Sequence, residues 1–150
     1  MCTVLLVENN PDDARLAQLA FERTRLSHVL AIVKDGAEAM DFLKAREKYT
    51  FRRDLPLPKL ILLDLGMPGV TGFELLDRLK EEPELRNIPV AVLSGSNYTA
   101  DMKKAYELGA KSFVEKPSDL GSFSASLKAV LDRWIGETGS GQASQARLSC

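Results

Sequence analysis

Short, continuously apolar runs alternate along this chain with longer segments whose apolar residues recur at helical spacing. The runs occupy residues 4–7, 29–33, 60–63, 89–93 and 112–114, and the helical segments begin at Pro11 and cover 37–46, 71–80, 99–108 and 119–134. A strand that is apolar at every position is typical of a parallel sheet covered on both faces. Because parallel strands need crossover helices, the alternation predicts an α/β fold, a doubly wound five-stranded parallel sheet with five helices.

Two shorter segments are predicted to be irregular. Asp35 and Gly36 are expected to form a turn before the second helix. Residues 47–58 are polar and contain two prolines, so they are expected to form a connection longer than is usual between a helix and a strand. We also expect the 60–63 run, which is the most apolar, to be the central strand.

The composition excludes several classes of protein. With 150 residues the chain has the usual length of one domain, and its net charge of -1 provides no basic field for nucleic acid. No stretch approaches the ~20 apolar residues that a membrane helix needs, and no signal peptide is evident. We therefore expect a cytoplasmic protein that binds neither nucleic acid nor membrane.

The end of the chain differs from the rest. Residues 136–150 are rich in Gly, Ser, Gln and Ala, which predicts a flexible tail after a single domain over residues 1–135. Cys2 and Cys150 lie near the two ends without metal-type spacing, and we expect both to be free thiols.

Polar residues follow the predicted strands at the edge where a site is expected. Glu8 and Asn9 follow the first strand, Asp64 the third, Ser94 the fourth and Lys116 the fifth. In open parallel sheets, ligands bind beyond the carboxyl ends of the strands. Carboxylates, a hydroxyl and an ammonium suit a hard cation together with a phosphoryl group. Any one of these residues alone could be a helix cap or a solvated side chain, so the prediction depends on their occurring together.

Four motifs in order carry a family resemblance over about residues 3–134. They are V-E-N-N-P-D-D, L-L-D-L-G-M-P-G-V-T-G around Asp64, V-L-S-G-S at Ser94 and F-V-E-K-P at Lys116. The sequence resembles the receiver domain of bacterial response regulators, and most of all the single-domain regulators associated with phytochrome histidine kinases. This resemblance implies a flavodoxin-like strand order of 2-1-3-4-5.

The resemblance also implies roles for individual residues. Asp64 would be the phosphoryl acceptor. Mg²⁺ would be held by Glu8 through water, by Asn9, by Asp64 and by the backbone carbonyl of Gly66. Ser94 would supply the switch hydroxyl, and Lys116 would contact the phosphoryl oxygens. Phe113 matches the aromatic residue that moves inward on activation.

Asn9 departs from the family pattern, which normally has a second acidic residue here. An amide oxygen can bind Mg²⁺ but carries no formal charge, and a unit charge pair at 4 Å is worth ~4 kcal/mol at an effective dielectric near 20. We therefore expect weakened Mg²⁺ binding. Asn9 should also repel an incoming phosphoryl anion less, so the net effect on the phosphorylation rate stays open.

The resulting prediction is a signalling switch that promotes only its own phosphotransfer and dephosphorylation. Its partners would be a sensor histidine kinase of the bacteriophytochrome type and a second copy, bound through the fourth helix, fifth strand and fifth helix. The alternative is a receiver-fold module that binds without phosphorylation, for which Asn9 is the only support. A dinucleotide-binding protein would need a G-x-G-x-x-G loop, and an Asp-x-Asp phosphatase a second aspartate at Gly66, and both are absent.

Overall fold

The computed structural model describes residues 3–25, 27–65, 72–95, 99–116 and 119–135. The predicted tail and both cysteines lie outside these ranges, so the domain boundaries stay a prediction. The strands are β1 (Thr3–Val7), β2 (Val29–Val33), β3 (Leu60–Asp64), β4 (Val90–Ser94) and β5 (Ser112–Glu115). The helices are α1 (Pro11–Arg23), α2 (Gly36–Leu43), α3 (Gly72–Glu81), α4 (Thr99–Glu107) and α5 (Leu120–Ile135), with a 3-10 helix at Glu47–Arg52.

The five strands form one sheet in the order β2-β1-β3-β4-β5, and every neighbouring pair is parallel. This confirms the predicted α/β fold and its flavodoxin-like order. The strand that the sequence marks as most apolar, β3, is central, and all five of its residues are buried. The chain goes from β1 to β2 on one side of β1 and then continues through β3, β4 and β5 on the other side of β1. The topological switch point therefore lies between β1 and β3.

Two apolar layers cover the sheet. Alternate residues of β1, such as Leu5 and Val7, pack on the side that also receives α2, α3 and Ala105 of α4. The intervening residues, such as Val4 and Leu6, pack with α1 and α5 on the other side. This alternation follows from the two-residue period of a strand, and it explains why the runs are apolar at every position.

The predicted boundaries shift most around α2. Gly36 is the first helical residue rather than part of a turn, because the Asp35 side chain accepts a hydrogen bond from Glu38 N at 2.8 Å and caps the helix. The helix ends at Leu43, three residues before the predicted end at Arg46, since Ala45 adopts a left-handed φ of 54°. The connection 47–58 is longer than usual, as predicted, but its first half is the 3-10 helix rather than irregular.

Helix α1 begins at Pro11 as predicted, and Asn10 fixes this start. The Asn10 side chain accepts hydrogen bonds from Asp12 N at 2.8 Å and from Asp13 N at 3.1 Å. Proline suits the first helical position because its missing N–H would lack an intrahelical partner anyway. The first turn of α1 therefore lies directly beyond the carboxyl end of β1. In the described ranges, no helix is both long and apolar enough to span a bilayer.

Candidate functional site

Strand ends β1, β3 and β5 bring the predicted acidic and basic residues to one edge of the sheet. Asp64 is the last residue of β3, and Glu8 directly follows β1. Continuing the strand alternation, Glu8 and Asp64 fall on the side of the sheet that packs against α1 and α5. Lys116 follows β5 and reaches the same place.

The ammonium group of Lys116 joins three carboxylates. Its Nζ lies 2.7 Å from Glu8 Oε1, 3.2 Å from Asp13 Oδ2 and 3.4 Å from Asp64 Oδ1. The side chains of Glu8 and Asp64 are only 1% and 10% exposed, whereas that of Asp13 is 45% exposed. The structure therefore brings together Glu8, Asp64 and Lys116, as the sequence predicts.

The buried carboxyl groups affect one another's charge. Burial, together with the hydrogen bond and charge repulsion from Asp64, raises the pKa of Glu8 to about 7, although Lys116 acts in the opposite direction. Burial alone would lower the pKa of Lys116, but the hydrogen bond to Glu8 and the charges of Asp64 and Glu8 outweigh it and raise that pKa. Lys116 therefore stays cationic at neutral pH, whereas the Glu8 carboxyl group takes up a proton more readily than an ordinary glutamate.

Ser94 and Phe113 lie on the β4 and β5 side of this group. Ser94 is the buried last residue of β4, and its carbonyl accepts a hydrogen bond from Lys116 N at 2.8 Å. Phe113 is half-buried, pairs with Val92 in the sheet and packs against the core on the α3 and α4 side. The backbone thus ties Lys116 to the strand end that carries Ser94.

Three of the four predicted metal ligands, Glu8, Asn9 and Asp64, lie within the described residues. Glu8 and Asp64 contact each other as buried carboxylates, which is the oxygen donor chemistry that a hard divalent cation prefers. Asn9 is exposed next to Glu8, and Gly66 lies outside the described residues. Within the described ranges, no group of three or more His, Cys, Asp or Glu side chains has the arrangement of metal ligands. Of the predicted ligands, the structure therefore brings together only the two carboxylates, and the ligand set as a whole stays a prediction.

Asp13 is the residue that sequence reasoning missed. An acidic residue in the first turn of a helix can be accounted for by the helix dipole alone, yet the Asp13 carboxylate also contacts Lys116. The sequence does contain a signal, because Pro11 marks the helix start directly after β1 and so puts Asp13 in the first turn, close to the carboxyl end of that strand. That signal needs the start of α1 to be known to within one residue.

The motifs, the strand order and the acidic edge define a class of protein. A model of the response regulator receiver domain matches residues 4–128, and the chain belongs to this family. It is a receiver domain of the kind found in two-component response regulators.

Particular relatives have also been found. Response regulator Rcp1 of Synechocystis sp. is 35% identical over 132 residues, which are 88% of this chain and 88% of Rcp1. The crystal structure of the phosphorylated cyanobacterial phytochrome response regulator RcpA is similar with a TM-score of 0.80 and 34% identity, covering 93% of this chain and 96% of RcpA. The Mn²⁺-bound form of Rcp1 is similar with a TM-score of 0.78 and 34% identity, covering 93% and 98%. The predicted kinship with phytochrome-associated regulators is therefore confirmed.

Proposed function

We propose that Asp64 accepts a phosphoryl group from the phosphohistidine of a sensor histidine kinase. The observation that carries this proposal is the position of Asp64, which ends the central strand with its carboxylate 3.4 Å from Lys116 Nζ. A carboxylate oxygen of Asp64 attacks phosphorus, the P–O bond forms, and the P–N bond to the imidazole breaks. Because charge spreads over the phosphoryl oxygens during transfer, a fixed cation at this distance stabilises the transition state.

The neighbouring residues have supporting roles in this proposal. Lys116 binds phosphoryl oxygens, the Ser94 hydroxyl donates a hydrogen bond to them, and Phe113 moves inward when Ser94 is engaged. A bound Mg²⁺ would neutralise negative charge at the site during the transfer. Its ligands would be Glu8 through water, Asn9, Asp64 and the Gly66 carbonyl. The Mn²⁺-bound form of the relative Rcp1 supports a divalent cation here.

The relatives support one type of kinase partner. RcpA is a cyanobacterial phytochrome response regulator, and its 34% identity to this chain supports a bacteriophytochrome-type kinase as the phosphoryl donor. In this proposal both proteins act in the cytoplasm. The signal would leave by protein contact with a second copy through α4, β5 and α5. Tyr106 of α4 is 46% exposed, so its ring is available for such a contact. In this proposal the chain promotes only its own phosphotransfer and dephosphorylation.

Intact mass spectrometry after incubation with acetyl phosphate and Mg²⁺ tests the proposal. The wild type should gain one phosphoryl group, Asp64→Asn should gain none, and Asp54→Asn, which changes an exposed carboxylate in the 47–58 connection, should behave as wild type. Equal labelling of Asp64→Asn would disprove the acceptor assignment. A wild type that stays unmodified under these conditions would favour the alternative of a binding module that works without phosphorylation.

A further inference from the structure

We propose that Asp13 is a positioning residue that holds the Lys116 ammonium before phosphorylation and is displaced from it by a phosphoryl oxygen. The inference rests on the proposed function of Asp64 and extends it to a residue of α1. It starts from the contact between Asp13 Oδ2 and Lys116 Nζ at 3.2 Å.

The contact between Asp13 and Lys116 matters because the ammonium group can donate only a limited number of hydrogen bonds. An ammonium has three N–H donors, and three carboxylates already surround Lys116 Nζ. Glu8 and Asp13 accept hydrogen bonds from Lys116 Nζ at 2.7 and 3.2 Å, so a phosphoryl oxygen on Asp64 that draws the ammonium toward itself competes with these two carboxylates. The question is which of them releases the lysine.

Burial and covalent attachment identify the group that leaves. Asp64 carries the phosphoryl group and stays in place, and Glu8 is 1% exposed, so losing the ammonium would leave a buried carboxylate uncompensated. Asp13 is 45% exposed, so water can replace the lysine at little cost. Asp13 is therefore the partner that Lys116 releases.

The position of Asp13 links this exchange to a helix. Asp13 lies in the first turn of α1, and its backbone N–H donates a hydrogen bond to Asn10 Oδ1 at 3.1 Å. The backbone of Asp13 is therefore fixed, while its side chain can turn outward. Helix α1 packs against α5, and Ser124 Oγ donates a hydrogen bond to Ala20 O at 2.9 Å. Release of Asp13 therefore leaves a carboxylate without its lysine partner at the N-terminal end of α1, the helix that packs against α5.

Asp12 offers a matched control. It lies in the same first turn, is exposed, and carries the same charge, so Asp12→Asn removes the same long-range charge and helix-dipole interaction as Asp13→Asn. The two variants differ in whether they change the carboxylate that contacts Lys116. Asp13→Glu keeps a carboxylate in place and should restore the wild-type behaviour.

The first test needs neither metal nor phosphate. Thermal melts in EDTA are measured for Asp13→Asn, Asp12→Asn and Lys116→Ala, and for each aspartate variant combined with Lys116→Ala. Asp13→Asn and Lys116→Ala should be non-additive, whereas Asp12→Asn and Lys116→Ala should add. Additivity of both pairs would overturn the claim that Asp13 holds Lys116.

The second test measures displacement with beryllofluoride and Mg²⁺, which mimic the phosphoryl group on an aspartate. Asp13→Asn should bind beryllofluoride about two- to fivefold more tightly than wild type, the range expected for losing a half-exposed ion pair, while Asp12→Asn and Asp13→Glu should match wild type. Equal affinities of Asp13→Asn and Asp12→Asn would overturn the displacement. If the wild type neither responds to beryllofluoride nor forms an adduct with acetyl phosphate, the proposed function itself is contradicted. In that case the thermal melts in EDTA still decide whether Asp13 holds Lys116.

Discussion

At the scale of single residues, Glu8 determines much of the electrostatics of the site. Its carboxyl group is buried against a second carboxyl group, and one lysine is shared among them and Asp13. Such an arrangement binds protons or cations in order to reduce its negative charge. Both responses can be measured.

The first prediction concerns pH. The pKa of Glu8 is about 7 in the folded protein against an unperturbed 4.5, so folding favours the protonated form. The stabilisation from this proton is complete below pH 4.5 and is lost as pH rises through 7, amounting to up to about 3 kcal/mol. Urea unfolding in EDTA should show this fall for wild type and not for Glu8→Gln. Parallel pH profiles of the two proteins would contradict the prediction.

The second prediction concerns Asn9. Asn9→Asp should tighten Mg²⁺ binding by about 1–3 kcal/mol, because a charged oxygen replaces a neutral one and desolvation offsets part of the gain. Without Mg²⁺ the same change should lower the melting temperature, because the new carboxylate repels Glu8 and Asp64. A thermal melt across a Mg²⁺ titration measures both effects. An unchanged Mg²⁺ midpoint would mean that residue 9 does not reach the metal.

At the scale of secondary-structure elements, the sequence predicts the strands well and the connection before β3 poorly. A buried strand is visible as an apolar run because its own residues determine its burial. The 3-10 helix at Glu47–Arg52 is not visible, because it depends on contacts with α2. Arg52 is buried, with its guanidinium 3.8 Å from the Phe42 ring centroid. A sequence pattern that shows only a polar segment cannot indicate such a partner.

The third prediction tests this explanation. Arg52 donates hydrogen bonds to Phe42 O and Pro56 O, both at 3.3 Å, in addition to stacking on the ring. Arg52→Ala should therefore lower the free energy of unfolding by about 1–3 kcal/mol. The exposed neighbour provides the control, and Arg53→Ala should change stability by less than about 0.5 kcal/mol. Urea unfolding compares the two, and equal losses would show that Arg52 does not hold the connection.

For the candidate site, the sequence predicts the residues at the strand ends but not the contact made by a helix. Glu8, Asp64 and Lys116 could be placed together because a parallel sheet brings the carboxyl ends of its strands to one edge. The contact of Asp13 with Lys116 could not, because it depends on how α1 is rotated about its axis. Pro11 indicates where the helix starts and Asn10 caps it there, but the start alone does not tell which side chain of the first turn reaches Lys116.

In the whole molecule, β5 belongs to the face proposed for self-association and also leads to the site. The site lies at the carboxyl ends of the strands, whereas α4, β5 and α5 form one side of the domain. Ser94 and Lys116 lie at the ends of β4 and β5, and the hydrogen bond from Lys116 N to Ser94 O joins them. Movement at the site can therefore reach that side through β5.

The fourth prediction follows from this arrangement. Tyr106→Asp, which introduces a charge on the α4, β5 and α5 face, should weaken self-association of the phosphorylated protein by about tenfold or more, as expected for a buried interface aromatic. Phe51→Asp is the control, because Phe51 is 70% exposed on the 47–58 connection. Sedimentation of both phosphorylated variants shows whether the α4, β5 and α5 face is the interface. A greater effect of Phe51→Asp than of Tyr106→Asp would show that the interface lies elsewhere.

Attachment of the phosphoryl group to Asp64 can be detected at the level of the bond itself. Borohydride reduces an aspartyl phosphate to homoserine, so protein treated with acetyl phosphate and Mg²⁺ can be reduced, digested and sequenced by mass spectrometry. We expect homoserine at position 64 and unchanged aspartate at positions 12, 13 and 54. Homoserine at one of those other positions, with aspartate intact at 64, would contradict this expectation.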